Sequence, residues 1–111
     1  MSSTFVDFWR GETISMTLTV KDEDEGTIDI TDETLKFLLK ENKDDSDANA
    51  KIDKDATLSA PLVGRATLTL SNTNTDQTPG LYYYEFILIR TTGEEYVLES
   101  DKVYIKERLL D

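Results

Sequence analysis

Between residues 79 and 90 the chain reads Pro-Gly-Leu-Tyr-Tyr-Tyr-Glu-Phe-Ile-Leu-Ile-Arg, its one long run that is apolar on both alternating faces. At a period of two, Tyr82, Tyr84, Phe86 and Leu88 share one face, and Leu81, Tyr83, Glu85, Ile87 and Ile89 share the other. A strand of this kind is stable only when both sides are covered, so it is expected at the centre of a sheet. The remaining runs are shorter and one-sided. In residues 13–21, Ile14, Met16, Leu18 and Val20 alternate with Thr, Ser and Lys, as a half-buried strand requires. The same alternation, less regular, predicts strands over residues 4–9, 27–31, 34–41, 51–58, 63–70, 94–100 and 102–108.

The punctuation between these runs consists of turn formers. Arg10-Gly11-Glu12 predicts a turn or bulge, and the acidic residues 22–26 predict a loop closing a hairpin or wide turn. Residues 42–50 read as an exposed loop, and Pro61 ends the strand before it. Residues 71–77 are expected to form one capped helical turn, because Ser, Asn and Asp side chains compete for backbone hydrogen bonds. Gly93 allows a tight connection into residues 94–100, where Tyr96 and Leu98 are expected to face inward. About seven or eight short strands at roughly ten-residue spacing, with no long helix, predict a single all-β domain over residues 1–111, an antiparallel immunoglobulin-like β-sandwich.

Composition removes several functions. Asp and Glu number 23 against 12 Lys and Arg, a formal charge of -11, which opposes binding to nucleic acid or to anionic membranes. The chain has no cysteine and no histidine, so thiolate chemistry is excluded and the commonest zinc ligands and general base are missing. No cofactor is expected and no catalytic residue is assigned. The start lacks a basic segment followed by an apolar one, and no run approaches about 18 apolar residues, which predicts a soluble protein made without a cleavable signal.

Two local clusters invite sharper readings. An EF-hand loop beginning at Asp22 would put Gly26 and Thr27 where the motif needs a ligand and a glycine; one beginning at Asp45 would put Ala50 at the glycine and Ala56 at the final glutamate. A solvated turn accounts for both. Trp9, Tyr83 and Tyr104 are the aromatics that could form a platform for a sugar, with Trp9 the leading glycan contact. The face carrying Leu81, Tyr83, Ile87 and Ile89 is the leading protein interface, because a sandwich strand ordinarily leaves that side to water. Either the 42–61 segment folds over it or another subunit covers it.

A longer pattern also runs through the chain. It comprises Asp7-Phe8 with Gly11-Glu12-Thr13, Val20-Lys21-Asp22, Asp29-Ile30-Thr31 before a strand ending at Lys40, Asp47-Ala48, Ile52, and Gly64-Arg65-Ala66-Thr67-Leu68-Thr69-Leu70. Pro79-Gly80-Leu81-Tyr82, Tyr84-Glu85, Gly93, Tyr96, Leu98 and Val103 complete it. Over nearly the whole chain this resembles the small immunoglobulin-like domains of phage tail and baseplate proteins, such as the N-terminal domain of baseplate upper proteins. Those domains carry a glycine between the last two strands, where this chain has Ser100-Asp101. The resemblance implies a non-enzymatic virion or prophage protein that assembles with other virion subunits or with copies of itself, in the virion or the host cytoplasm. Carbohydrate or host-surface binding is the alternative.

Overall fold

The computed structural model describes residues 7–22, 24, 26–42 and 44–107. Its strands are β1 (Phe8–Trp9), β2 (Ile14–Thr19), β3 (Thr34–Lys40), β4 (Ile52–Asp55), β5 (Thr57–Ala60), β6 (Arg65–Leu70), β7 (Gly80–Ile89) and β8 (Glu95–Lys106), with single 3-10 turns at Asp47–Asn49 and Pro61–Val63. They form a five-stranded sheet in the order β1-β8-β7-β3-β4 and a three-stranded sheet in the order β2-β6-β5. The chain is all-β, and no α-helix occurs among the described residues. No helix among them is long and apolar enough to cross a membrane. Residues 4–6 of the expected first strand lie outside the described residues.

The doubly apolar run is the centre of the larger sheet, pairing antiparallel with β3 on one side and β8 on the other. Its inner row, Tyr82, Tyr84, Phe86 and Leu88, is buried with Leu35, Phe37 and Leu39 of β3 against Leu18 of β2 and Ala66, Leu68 and Leu70 of β6. Phe37 and Phe86 have ring centroids 5.1 Å apart, and Tyr84 meets Phe86 edge-on at 5.8 Å. These are the offset and edge contacts that aromatic quadrupoles favour. Arg90, just past β7, places its Nε 2.6 Å from Oε1 of Glu33, which precedes β3; the Glu33 side chain is only 8% exposed. The pair ties the ends of the two central strands together.

Four sequence expectations are corrected. The larger sheet is mixed, because β1 runs parallel to β8, with Phe8 opposite Ile105. The chain turns after Trp9, Glu12 N–H donating to the Trp9 carbonyl at 3.1 Å, and enters the other sheet as β2, so β1 keeps the direction of β8. Residues 27–31 form no strand. They hold one bridge, Lys21 to Thr27, before Asp29 accepts the Thr31 N–H and hydroxyl at 2.9 and 2.6 Å and turns the chain. Those two bonds pull the Asp29 carboxyl below its ordinary value. The single strand expected over residues 51–58 is two, β4 in the larger sheet and β5 in the smaller, the chain crossing at Ala56, whose N–H donates to the Leu35 carbonyl at 2.8 Å. Finally, the two expected last strands are one, continuous through Ser100-Asp101. A bulge opposite Phe86 and Ile87 shifts the register; Leu98 packs against the core, and Tyr96, although opposite the inner-row residue Leu88, is 47% exposed.

Gly64 closes the turn at Pro61–Val63 with φ +72°. A Cβ there would lie 2.6 Å from the Val20 carbonyl oxygen and 2.7 Å from that of Ile28, backbone atoms that cannot move aside. Gly64→Ala is therefore expected to destabilise the protein by about 2 kcal/mol or more, from strain and steric overlap together. A chemical-denaturation midpoint equal to that of the unaltered chain would contradict this.

Candidate functional site: the outer face of the five-stranded sheet

Directly paired residues of neighbouring strands share a face of the sheet, so the register assigns the paired residues of the outer side. Beginning at the β1 end, Trp9 lies opposite Lys106, Tyr104 opposite Leu81, and Lys102 opposite Tyr83, which in turn faces Lys40. The next row holds Ser100, Glu85, Leu38 and Asp53, then Val97, Ile87, Lys36 and Asp55, and last Glu95, Ile89 and Thr34. The smaller sheet packs on the other side, and the 42–61 segment, instead of folding over the outer face, extends the larger sheet edgewise as β4 and joins the smaller one as β5. No described element forms a third layer.

All four residues expected at an interface are on this face, but their exposure differs. Leu81 is 38% exposed, Tyr83 and Ile89 are half-buried, and Ile87 is only 5% exposed. Ile87 sits between Lys36 and Val97, and Leu38, on the same face and fully buried, lies between Lys36 and Lys40 along its strand. The aliphatic stems of such lysines cover apolar neighbours while their ammonium groups stay wet. Lys36 is anchored by Asp53 at 3.1 Å and Asp55 at 3.8 Å. The sheet thus covers Ile87 and Leu38, while Val97 beside Ile87 and the end near β1 stay open.

That open end is where the aromatics gather. Trp9 and Tyr104 are 44% and 48% exposed beside Leu81, so the residues considered for a sugar platform and those considered for an interface share one surface. Lys106 holds its Nζ 5.3 Å from the Trp9 ring centroid, a cation–π distance that occupies one face of the indole. Tyr104 is held in place through its backbone N–H, which donates to Asp7 at 3.0 Å. A shallow depression of about 230 Å³ lies between Lys40, Tyr83, Glu85, Ser100, Asp101 and Lys102.

No protein-family model matches the chain, and no curated protein is significantly similar to it. The surface therefore has to be understood from its own chemistry. Sequence reasoning missed Lys40, Lys102, Lys106, Leu38 and Val97 as parts of it. The signal for the lysines was present, since Lys102, Tyr104 and Lys106 alternate with Val103 and Ile105; what was lacking was knowledge of which strand lies beside β7.

A second concavity, about 690 Å³ and wide open, lies between the sheets, with Val20, Ile28, Leu88 and Leu98 at its base and Asp22, Asp24 and Arg90 at its rim. Its polar groups serve the fold. Asp22 accepts the Asp24 and Gly26 N–H groups at 2.9 and 2.8 Å, and Arg90 holds Glu33. No three described Asp or Glu side chains are grouped to hold a metal ion. Nearby, hydrogen bonds from Tyr96 and Thr92 lower the Glu94 carboxyl, and the same contact raises the Tyr96 phenol.

The exposures separate two substitutions. Tyr104→Ala is expected to change folding stability by no more than about 0.5 kcal/mol, whereas Ile87→Lys, which buries an ammonium group, is expected to cost about 3 kcal/mol. Equal losses in urea unfolding would refute this division of the face.

Proposed function

We propose that this chain is an immunoglobulin-like β-sandwich acting as a non-catalytic assembly module of a phage or prophage particle, docking on protein subunits through the outer face of its five-stranded sheet. The immunoglobulin-like assignment is supported by the parallel β1–β8 pair, the five-plus-three division and the crossing from β4 to β5. It is supported further by Tyr82, whose hydroxyl donates to the Thr78 carbonyl at 2.6 Å, the corner contact of such sandwiches. Burial, then the charge of Glu41, raises the Tyr82 phenol above its ordinary value, so it stays a donor across the neutral range. The phage assignment rests on the sequence resemblance alone.

The observation that carries the docking role is the exposed strip of Trp9, Tyr104 and Leu81 on a sheet face with no described element over it. Aromatic residues bordered by charged ones are the composition of interface centres. A chain charge of -11 keeps copies apart until a fitted surface is met. Glycan binding uses the same strip and differs in its reporter, because Trp9 is the only tryptophan.

The test places a benzoylphenylalanine photo-cross-linker at Tyr104 or, as control, at Thr69 on the outer side of the smaller sheet, in cells co-expressing the products of the neighbouring genes. Protein adducts are expected from position 104 and not from position 69. Adducts from 69 alone, or a saturable change in Trp9 fluorescence on adding oligosaccharides with no adduct from 104, would overturn the proposal.

A further inference from the structure

The strip of Trp9, Tyr104 and Leu81 exists only if Trp9 is held in place, and β1 by itself supplies little to hold it. The strand is two residues long; Phe8 is buried in the core, whereas Trp9 points the other way and is 44% exposed. Both backbone polar groups of Trp9 are engaged by Glu12. The Trp9 N–H donates to Glu12 Oε1 at 3.2 Å, and the Trp9 carbonyl accepts the Glu12 N–H at 3.1 Å. Glu12 is itself an exposed residue just past a turn, so it holds Trp9 only as firmly as it is held.

What holds Glu12 lies 63 positions further along the chain. Thr75, between β6 and β7, is fully buried although polar. Its hydroxyl donates to the Glu12 carbonyl at 2.6 Å, much closer than its 3.4 Å approaches to the Ser71 and Asn72 carbonyls, and its own carbonyl accepts the Gly11 N–H at 3.2 Å. The loop that presents Thr75 is braced internally. The Ser71 N–H donates to Asn74 Oδ1 at 2.9 Å, the Asn74 N–H to Ser71 Oγ at 3.2 Å, and the Thr75 N–H to the Ser71 carbonyl at 3.2 Å. Asp76 adds an exposed tie to Arg10 Nε at 2.8 Å. Resting on the docking reading above, we infer that Thr75 is a positioning residue of the docking strip, fixing Trp9 beside Tyr104 by way of Glu12. Being fully buried, it reaches no partner itself; it acts by removing the freedom that an aromatic anchor would otherwise lose on binding.

The experiment separates the hydroxyl of Thr75 from its methyl. Thr75→Val keeps the volume and deletes the bond to Glu12, whereas Thr75→Ser keeps the bond and loses the methyl. Two local readouts are taken on the isolated full chain: acrylamide quenching of Trp9, the only tryptophan, and hydrogen exchange at the Arg10 amide, which donates to the Lys106 carbonyl at 2.9 Å. Thr75→Val is expected to raise the quenching and to speed Arg10 exchange about fivefold or more beyond any change in the β7 amides. It is also expected to lower the yield of protein adducts from the cross-linker at position 104. Thr75→Ser is expected to match the unaltered chain in all three. Asp76→Ala, at an exposed position that leaves folding intact, removes the second tie and is expected to move both local readouts in the direction of Thr75→Val. A change shared equally by Arg10 and the β7 amides, or an equal effect of Thr75→Ser, reduces Thr75 to a stability contact and overturns the inference. So does a loosened Trp9 with undiminished adducts, or, if Thr75→Val does not fold, an Asp76→Ala chain unchanged in both local readouts. No adducts from position 104 of the unaltered chain overturns the docking reading instead, while the local readouts still decide whether Thr75 sets Trp9, so the two failures are distinguishable.

Discussion

The packing of Phe37, Tyr84 and Phe86 beneath the smaller sheet is the contact on which the rest depends. It fixes which face of β7 is inside, and with a strand period of two it fixes the other face as well. A slip of one residue would bury Glu85 and expose Tyr84 and Phe86. The outer surface is thus the mirror of the core register, and its composition follows from the odd-numbered positions of β7 once the even-numbered ones are committed.

β7 alone does not make a surface, because each residue on it is flanked by two neighbours. On the β3 side those neighbours are Lys36 and Lys40, whose stems cover Ile87, Leu38 and Tyr83 in part. On the β8 side the bulge brings Val97 opposite Ile87 and leaves Tyr104 opposite Leu81. The central residues Ile87 and Leu38 are sheltered within the sheet itself; Trp9, Leu81 and Tyr104 are exposed where β3 has ended and only the short β1 lies alongside, and Val97 is exposed opposite Ile87. The salt bridges of Lys36 to Asp53 and Asp55 tie the edge strand β4 to this face at little gain in stability, since exposed pairs contribute about 0–1 kcal/mol.

The two active ideas drawn from the sequence, a sugar platform and a protein interface, looked separate because their residues lie far apart in the chain. The parallel pairing of β1 with β8 merges them by carrying Trp9 beside Tyr104. Lys106 over the Trp9 ring then alters what that platform presents: one indole face is already occupied by a cation.

Five of the eight strands, β1, β2, β3, β6 and β7, were readable as separate runs, because alternation is a local consequence of one-sided burial, and so were the turn at Gly93, the stop at Pro61 and the division of β7 into two rows. The split of residues 51–58 between sheets was not, since the short β4 and β5 run into each other without a turn former at Ala56. Nor was the fusion of the last two strands, where Ser100-Asp101 resembles a turn but is held extended by its pairing with Tyr84 and Glu85. By itself the sequence determined which residues face in and which face out along each strand, because that depends only on neighbours two positions away. Only the tertiary structure decided which outward residues stand side by side, because strand order and register are set by contacts between distant segments.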